Sequence, residues 1–441
     1  MASNSLYRHA LTFGAATVAT IAAPPLAMAS ATPAVPDSAA SASSPLAMTI
    51  DRFYAERGER PIWFRPGGGR EAAAQLVSIL RNAEIDGLGD APRLAGQVEA
   101  ALAAASNGDP VALRRAERTL SSAWLLYVQA LRLPAKGVIF GDPRLVPQMP
   151  RSSDVLEQAA RAPSLERYLR AVAAVNPFYA ELRAAALRQG ELPPEARAKV
   201  ANSLDRVRML PASGRFVLVD VASQRLTMVE DGSVVDSMKV IVGKPDHPTP
   251  MIASTIRNAT FNPYWNVPQD LLRKNIAPRV LSEGLTYLRQ RGYEVLAGWG
   301  HDARATDPAA INWAAVADGR IELRVRQRPG AGNMMGNFKF AFPNGEGIYL
   351  HDTPDKALFA ESRRTFSSGC VRLEDAPRLA RWLMGREPVA PSGRPELEVP
   401  LPSPVPIYVT YLTARPSGDA LAFADDVYGW DERPAQRLAA R

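Results

Sequence analysis

The chain changes its hydrophobic repeat at residue 211, and that change limits the folds open to it. Before it, apolar residues recur at helical spacing. Ile50, Phe53 and Tyr54 share one face, and helices are expected at about 70–82, 91–106, 110–133, 152–172, 174–189 and 194–208. Pro134, Pro143, Pro147 and Pro150 punctuate the middle, because proline lacks the amide a helix needs. Pro61-Ile62-Trp63-Phe64 reads as a buried aromatic knot. After Pro211-Ala212-Ser213-Gly214 the runs become short and β-branched. Residues 215–220 and 224–229 form a hairpin, followed by strands at 233–242 and 254–261. The expected class is α+β, a helical region over 47–210 and a mostly β region over 211–431.

A length of 441 residues accommodates two or three such units. Residues 1–31 read as a secretory leader: Arg8 precedes an apolar, Ala-rich stretch from Ala10 to Leu26, and small residues follow at Ala27-Met28-Ala29 or Ala29-Ser30-Ala31. Pro24-Pro25 breaks that stretch, so a stable membrane span is not expected. No cysteine follows it, which excludes a lipid-anchored cysteine. Residues 32–46 are rich in Ala, Ser and Pro and read as a disordered linker, and 432–441 as a tail.

One cysteine in the whole chain excludes an internal disulfide, and no CxxC or His/Cys cluster suggests zinc. No cofactor or metal is expected. The net charge of +7 suits an anionic partner. No Lys/Arg run or nucleic-acid motif accompanies it, so nucleic acid is not the expected one. Gly330 and Gly332 lack the GxxxxGK[ST] pattern of a phosphate loop and open no helix.

The chemistry gathers in residues 348–374. Ile348-Tyr349-Leu350 is a β-prone run that places His351 at a strand end. Nineteen positions later comes Cys370, in Ser367-Ser368-Gly369-Cys370-Val371-Arg372. A thiol attacks only as thiolate and needs a base beside it. Histidine suits that task because it titrates near neutral pH. Gly369 lets the backbone turn tightly before the nucleophile. Amides in such a turn can converge on an oxyanion. A lone cysteine is otherwise a small buried hydrophobe. Here it follows turn residues, in a chain that reads as exported.

His351 followed by Ser367-Ser368-Gly369-Cys370-Val371-Arg372 resembles the signature of L,D-transpeptidases, the YkuD-type catalytic domain. Ser368 stands where most members carry a second histidine, a variant similar to that of the larger, scaffold-bearing branch. The resemblance extends through Val242-Gly243-Lys244-Pro245-Asp246-His247-Pro248-Thr249-Pro250 to Tyr428-Gly429-Trp430-Asp431, and more weakly to the helices of 47–210. It implies a periplasmic enzyme acting on peptidoglycan stem peptides as donor and acceptor. Cys370 would be the nucleophile and His351 the base, rather than the loop histidines His247 and His301.

The amides around Ser368 and Gly369 would serve the oxyanion. Arg372 would bind a substrate carboxylate or pair with Asp355 or Glu374, and Tyr349 would border the site. Residues 262–320 resemble a helical lid, with Tyr264 and Trp265 either lining the cleft or filling a core. Asp352 points away from His351 by strand alternation, so a backbone carbonyl is the expected orienter. Residues 321–327 and 337–342 are expected to return to the main sheet, a helix to follow over 375–385, and 406–413 and 420–427 to complete the sheet.

The resemblance further implies a monomer, inhibition by carbapenems and 3–3 cross-linking between diaminopimelate residues. A protein lysine or water remains open as acceptor, as does an inactive wall-binding role.

Overall fold

The computed structural model describes residues 44–65, 69–300 and 302–432. The expected leader, most of the linker, the last nine tail residues and His301 lie outside the described residues. Helices form where the repeat predicts them: α1 (Pro45–Glu56), α2 (Gly69–Arg81), α3 (Ala91–Ala104), α4 (Pro110–Leu131), α5 (Ser152–Arg161), α6 (Leu165–Ala174), α7 (Pro177–Gln189) and α8 (Pro194–Val207). The single helix expected over 152–172 is two. Pro163 cannot continue the first, and the Ser164 side chain accepts the Arg167 amide at 3.3 Å to cap the second. The aromatic knot is built on Glu117, buried in α4. Its carboxylate accepts the Ile62, Trp63 and Phe64 amides and the Tyr54 hydroxyl.

The remaining elements follow in chain order. The strands are β1 (Val138–Phe140), β2 (Arg215–Asp220), β3 (Arg225–Glu230), β4 (Ser233–Gly243), β5 (Met251–Phe261), β6 (Trp265–Asn266), β7 (Tyr293–Leu296), β8 (Arg324–Gln327), β9 (Phe338–Ala341), β10 (Tyr349–His351), β11 (Thr365–Ser367), β12 (Val371–Leu373), β13 (Leu397–Thr410), β14 (Ala414–Ser417) and β15 (Ala420–Phe423). The helices are α9 (Gln269–Leu271), α10 (Ala277–Glu283), α11 (Thr286–Gln290), α12 (Trp313–Ala317) and α13 (Ala376–Met384).

The main sheet runs β5-β13-β2-β3-β4-β12-β10-β9, and β9 returns to β5 through Thr260↔Lys339 and Phe261↔Phe338. Eight strands therefore close into a barrel. Inward residues Val217, Val219, Ile256, Ile407, Leu350 and Val371 form its core with α13. Between them on β2, Phe216 and Leu218 point outward into the scaffold core, where Phe178 of α7 meets Phe216 at 6.1 Å. Both faces of β2 are buried, so the strand reads as a continuous apolar run.

Three expectations are corrected here. The helical region contributes a strand: β1 adds parallel to β5, with Val138 opposite Met251. Residues 321–327 do not rejoin the barrel. β8 pairs with β6 and β7 in a separate sheet whose core includes Val267, Leu272, Ile276, Leu288, Trp313 and Val325. The lid therefore extends past residue 320 to Gln327. Residues 420–427 do not complete the sheet either, because β14 and β15 form their own hairpin against α7 and α8. Among the described residues, no helix is long and apolar enough to cross a membrane.

Candidate active site

Adjacent strands β10 and β12 carry the site. They run parallel, with Leu350 opposite Val371 and His351 opposite Arg372. Leu350 and Val371 are buried in the barrel core, so alternation puts Tyr349, His351, Cys370 and Arg372 together on the other face.

His351 is buried, with its Nδ1 2.6 Å from the backbone oxygen of Asp352. A carbonyl only accepts, so Nδ1 donates and the lone pair stays on Nε2. This is the backbone orienter that strand alternation predicts. The Asp352 carboxylate is engaged elsewhere, accepting the Asn337 amide at 3.0 Å and Lys356 Nζ at 2.8 Å. Burial, reinforced by the Arg372 charge, pushes the imidazole down to about 4.

Cys370 is partly exposed, and its Sγ lies 3.7 Å from the Gly347 carbonyl oxygen. Burial raises the thiol above its ordinary value, opposed by the Tyr349 amide and the Arg372 charge. Both shifts favour the neutral form, of the thiol and of the imidazole.

The turn before Cys370 is fixed by Gly369 and Ser367. Gly369 has φ +109°, and a Cβ there would come 3.0 Å from Ile348 Cδ1. Ser367 Oγ accepts the Gly369 amide at 3.2 Å and donates to the Cys370 carbonyl at 2.5 Å. That bond occupies one of the amides expected to face an oxyanion. Ser368 is exposed.

Arg372 Nη1 lies 3.6 Å from Asp355 Oδ2, and only 17% of its side chain is exposed. Lys339 Nζ sits 5.8 Å from the Tyr349 ring centroid and pairs with Glu396. Glu396 accepts the Tyr264 amide at 2.7 Å, and the Tyr264 ring stacks 4.0 Å from the Arg326 guanidinium. Tyr264 thus joins the lid base to Glu396, just ahead of β13, and through it to Lys339 of β9. Trp265 packs within the lid, 6.3 Å from the Tyr293 ring. His247 is exposed beside Asp246, 3.2 Å away. Among the described residues, no group of three or more His, Cys, Asp or Glu is arranged for a metal.

Sequence reasoning assigned no role to three residues: Ser367, read only as turn chemistry; Thr249, whose hydroxyl reaches the same turn from the β4–β5 loop; and Tyr428 of the C-terminal segment, whose hydroxyl bonds the Gly243 carbonyl and the Thr249 amide.

Fold and site define a lidded β-barrel with a carbonyl-pinned histidine at the end of one strand and a cysteine immediately before the parallel strand beside it. Residues 214–397 match the YkuD family, the L,D-transpeptidase catalytic domain, and residues 48–185 match the Scaffold domain. The chain carries both: a YkuD-type L,D-transpeptidase catalytic domain behind a Scaffold domain. A Haemophilus influenzae protein, provisionally named an L,D-transpeptidase, is 31% identical over 242 residues, which are 53% of this chain and 48% of that one. The chain thus spans about half the length of that relative.

Two solved structures are also similar. One is an L,D-transpeptidase from Mycobacterium smegmatis, at 15% identity over 45% of this chain and 59% of its own, with a TM-score of 0.23. The other is L,D-transpeptidase 3 from Mycobacterium tuberculosis with a faropenem-derived adduct, at 15% identity over 45% and 60%, with a TM-score of 0.22. At such scores the fold assignment rests on the strand order and the family match.

Proposed function

We propose that the protein is an exported peptidoglycan L,D-transpeptidase working through a cysteine acyl-enzyme. The observation that carries this is the pairing of β10 with β12, which puts Cys370 and a neutral, carbonyl-pinned His351 on one face. Cys370 Sγ attacks the carbonyl of the diaminopimelate residue in a tetrapeptide stem, and its proton passes to His351 Nε2. The oxyanion takes the Cys370 amide, since Ser367 holds that of Gly369. Arg372 favours the negative charge that develops on the sulfur and disfavours the imidazolium, which helps His351 pass its proton on to the leaving amine. The tetrahedral intermediate collapses to a thioester, and terminal D-alanine leaves as an amine carrying the proton returned by His351. The side-chain amine of a second diaminopimelate then attacks the thioester, regenerates the thiol and forms the 3–3 cross-link. Carbapenems acylate the same sulfur, because the strained lactam carbonyl is an acyl donor: its C–N bond breaks, and the ring nitrogen takes the proton and stays tethered to the adduct.

Incubation with disaccharide-tetrapeptide and mass spectrometry of the products tests the reading. A dimer lighter by one D-alanine is expected, and Cys370→Ala abolishes it. Tripeptide alone would make water the acceptor. A stem attached to lysine in an added protein would make the enzyme an anchoring transferase.

A further inference from the structure

We propose that Thr249 is a positioning residue that aims the Cys370 amide at the oxyanion, and that Tyr428 holds Thr249 in place. The inference rests on reading Cys370 as an acyl-transfer nucleophile. Thr249 is fully buried in the loop between β4 and β5. Its Oγ1 accepts the Gly243 amide at 2.9 Å and donates to the Gly369 carbonyl at 2.7 Å. A hydroxyl has one proton, and with Gly243 acting as donor that proton is committed to Gly369. Tyr428 closes the ring: its hydroxyl donates to the Gly243 carbonyl at 2.6 Å and accepts the Thr249 amide at 3.4 Å. Gly243 permits this tight return, since a Cβ there would lie 2.2 Å from the His247 carbonyl oxygen and 2.6 Å from the Thr249 nitrogen.

The consequence follows from peptide geometry. The Gly369 carbonyl and the Cys370 amide are opposite ends of one planar unit. Fixing the oxygen fixes the direction of the N–H. A hydrogen bond to the carbonyl also polarises the unit and makes its N–H a stronger donor. Ser367 holds the next atoms on each side, the Gly369 amide and the Cys370 carbonyl. Thr249 supplies the remaining constraint from a separate segment of chain.

Two reactions of the same sulfur separate this role from general support. Acylation by a carbapenem passes through a tetrahedral oxyanion. Alkylation by iodoacetamide is a displacement at saturated carbon and forms none. Thr249→Val keeps the shape and removes the hydroxyl. It should slow acylation roughly 10–100-fold, less than the about 10²–10³-fold that loss of an oxyanion donor itself costs. Alkylation, and its pH profile, should be unchanged. Thr249→Ser should restore acylation. Tyr428→Phe should shift acylation the same way by a smaller factor, and it provides the test if Thr249→Val does not fold. Equal slowing of both reactions, or no slowing of acylation, overturns the proposal. A wild-type protein that alkylates at Cys370 but never acylates overturns the transpeptidase reading, and this role with it.

Discussion

The scaffold and the lid both flank the catalytic barrel, but they are attached differently. The scaffold shares a core with the barrel: Phe216, Leu218, Val229, Ala253 and Tyr408 of the strands lie in one apolar cluster with Leu76, Trp124 and Leu204 of the helices. It also lends β1 to the barrel edge at β5. The lid keeps its own core around Leu272, Trp313 and Val325. It meets the barrel through polar links at its base, such as the Tyr264 amide on Glu396 and the Asn262 amide on the Asn337 carbonyl at 3.1 Å. Shared apolar burial makes two regions one cooperative unit, whereas a base of hydrogen bonds leaves a region able to open on its own.

The largest effect should come from deleting residues 44–210. The outer faces of β2 and β13 would then be bare, so residues 211–431 alone should show no cooperative thermal transition. A soluble fragment that still reacts with carbapenem would break the contrast. Gly141→Ala tests the same junction with one methyl. The new Cβ would lie 1.7 Å from the Pro343 carbonyl oxygen, a backbone atom in the turn leading to β10. Overpacking typically costs 1–3 kcal/mol, and a clash with backbone falls at the upper end, so a loss of about 3 kcal/mol by urea titration is expected.

Acid loads the barrel rather than the lid. His351 is held neutral, at about 4 when folded against an ordinary 6.5. Between these values the unfolded chain binds more protons than the folded one, so this contribution is full above about pH 6.5 and is lost as pH falls toward 4. The whole span is worth about 3 kcal/mol at most. It should appear as the difference between wild type and His351→Asn across that window, and an equal acid sensitivity in both would contradict it. The same imidazole must be neutral to act as base. Acylation should therefore persist well below pH 6.5 and fall as pH passes about 4. His247→Ala should leave that profile alone.

The smallest effect belongs to the lid. Val325→Ala removes buried methyl groups and should cost roughly 1–3 kcal/mol. Hydrogen exchange should speed up in β6, β7 and β8 while the barrel strands stay protected. Loss of protection throughout the barrel would show that lid and barrel fold as one.

How far the sequence reached follows the same division. Helices and the β2–β5 meander were legible because their signal is local: a repeat, a cap or a turn. The break at Pro163 was legible too, but the apolar spacing on either side masked it. Barrel closure was not, since nothing in Thr260-Phe261 names Phe338-Lys339 as its partner. β1 was hidden as three residues in a proline-rich stretch, paired to a strand more than a hundred positions away. β8 looks like any strand, and its propensity does not say which sheet it joins. Cys370 and His351 stood out by rarity, and alternation predicted the backbone partner of the imidazole. Ser367, Thr249 and Tyr428 lie in the stretches that carry the resemblance, but the hydrogen bonds that give them their roles depend on distances that residue identity does not state.

The central claim is that Cys370 is acylated by a stem peptide. The most direct measurement treats the protein with tetrapeptide, quenches it in acid and determines its intact mass, followed by the mass of the Cys370-containing fragment. The predicted result is a tripeptidyl thioester on that fragment, with D-alanine released and neither product from Cys370→Ala. An adduct on another residue, or D-alanine released by Cys370→Ala, would contradict it.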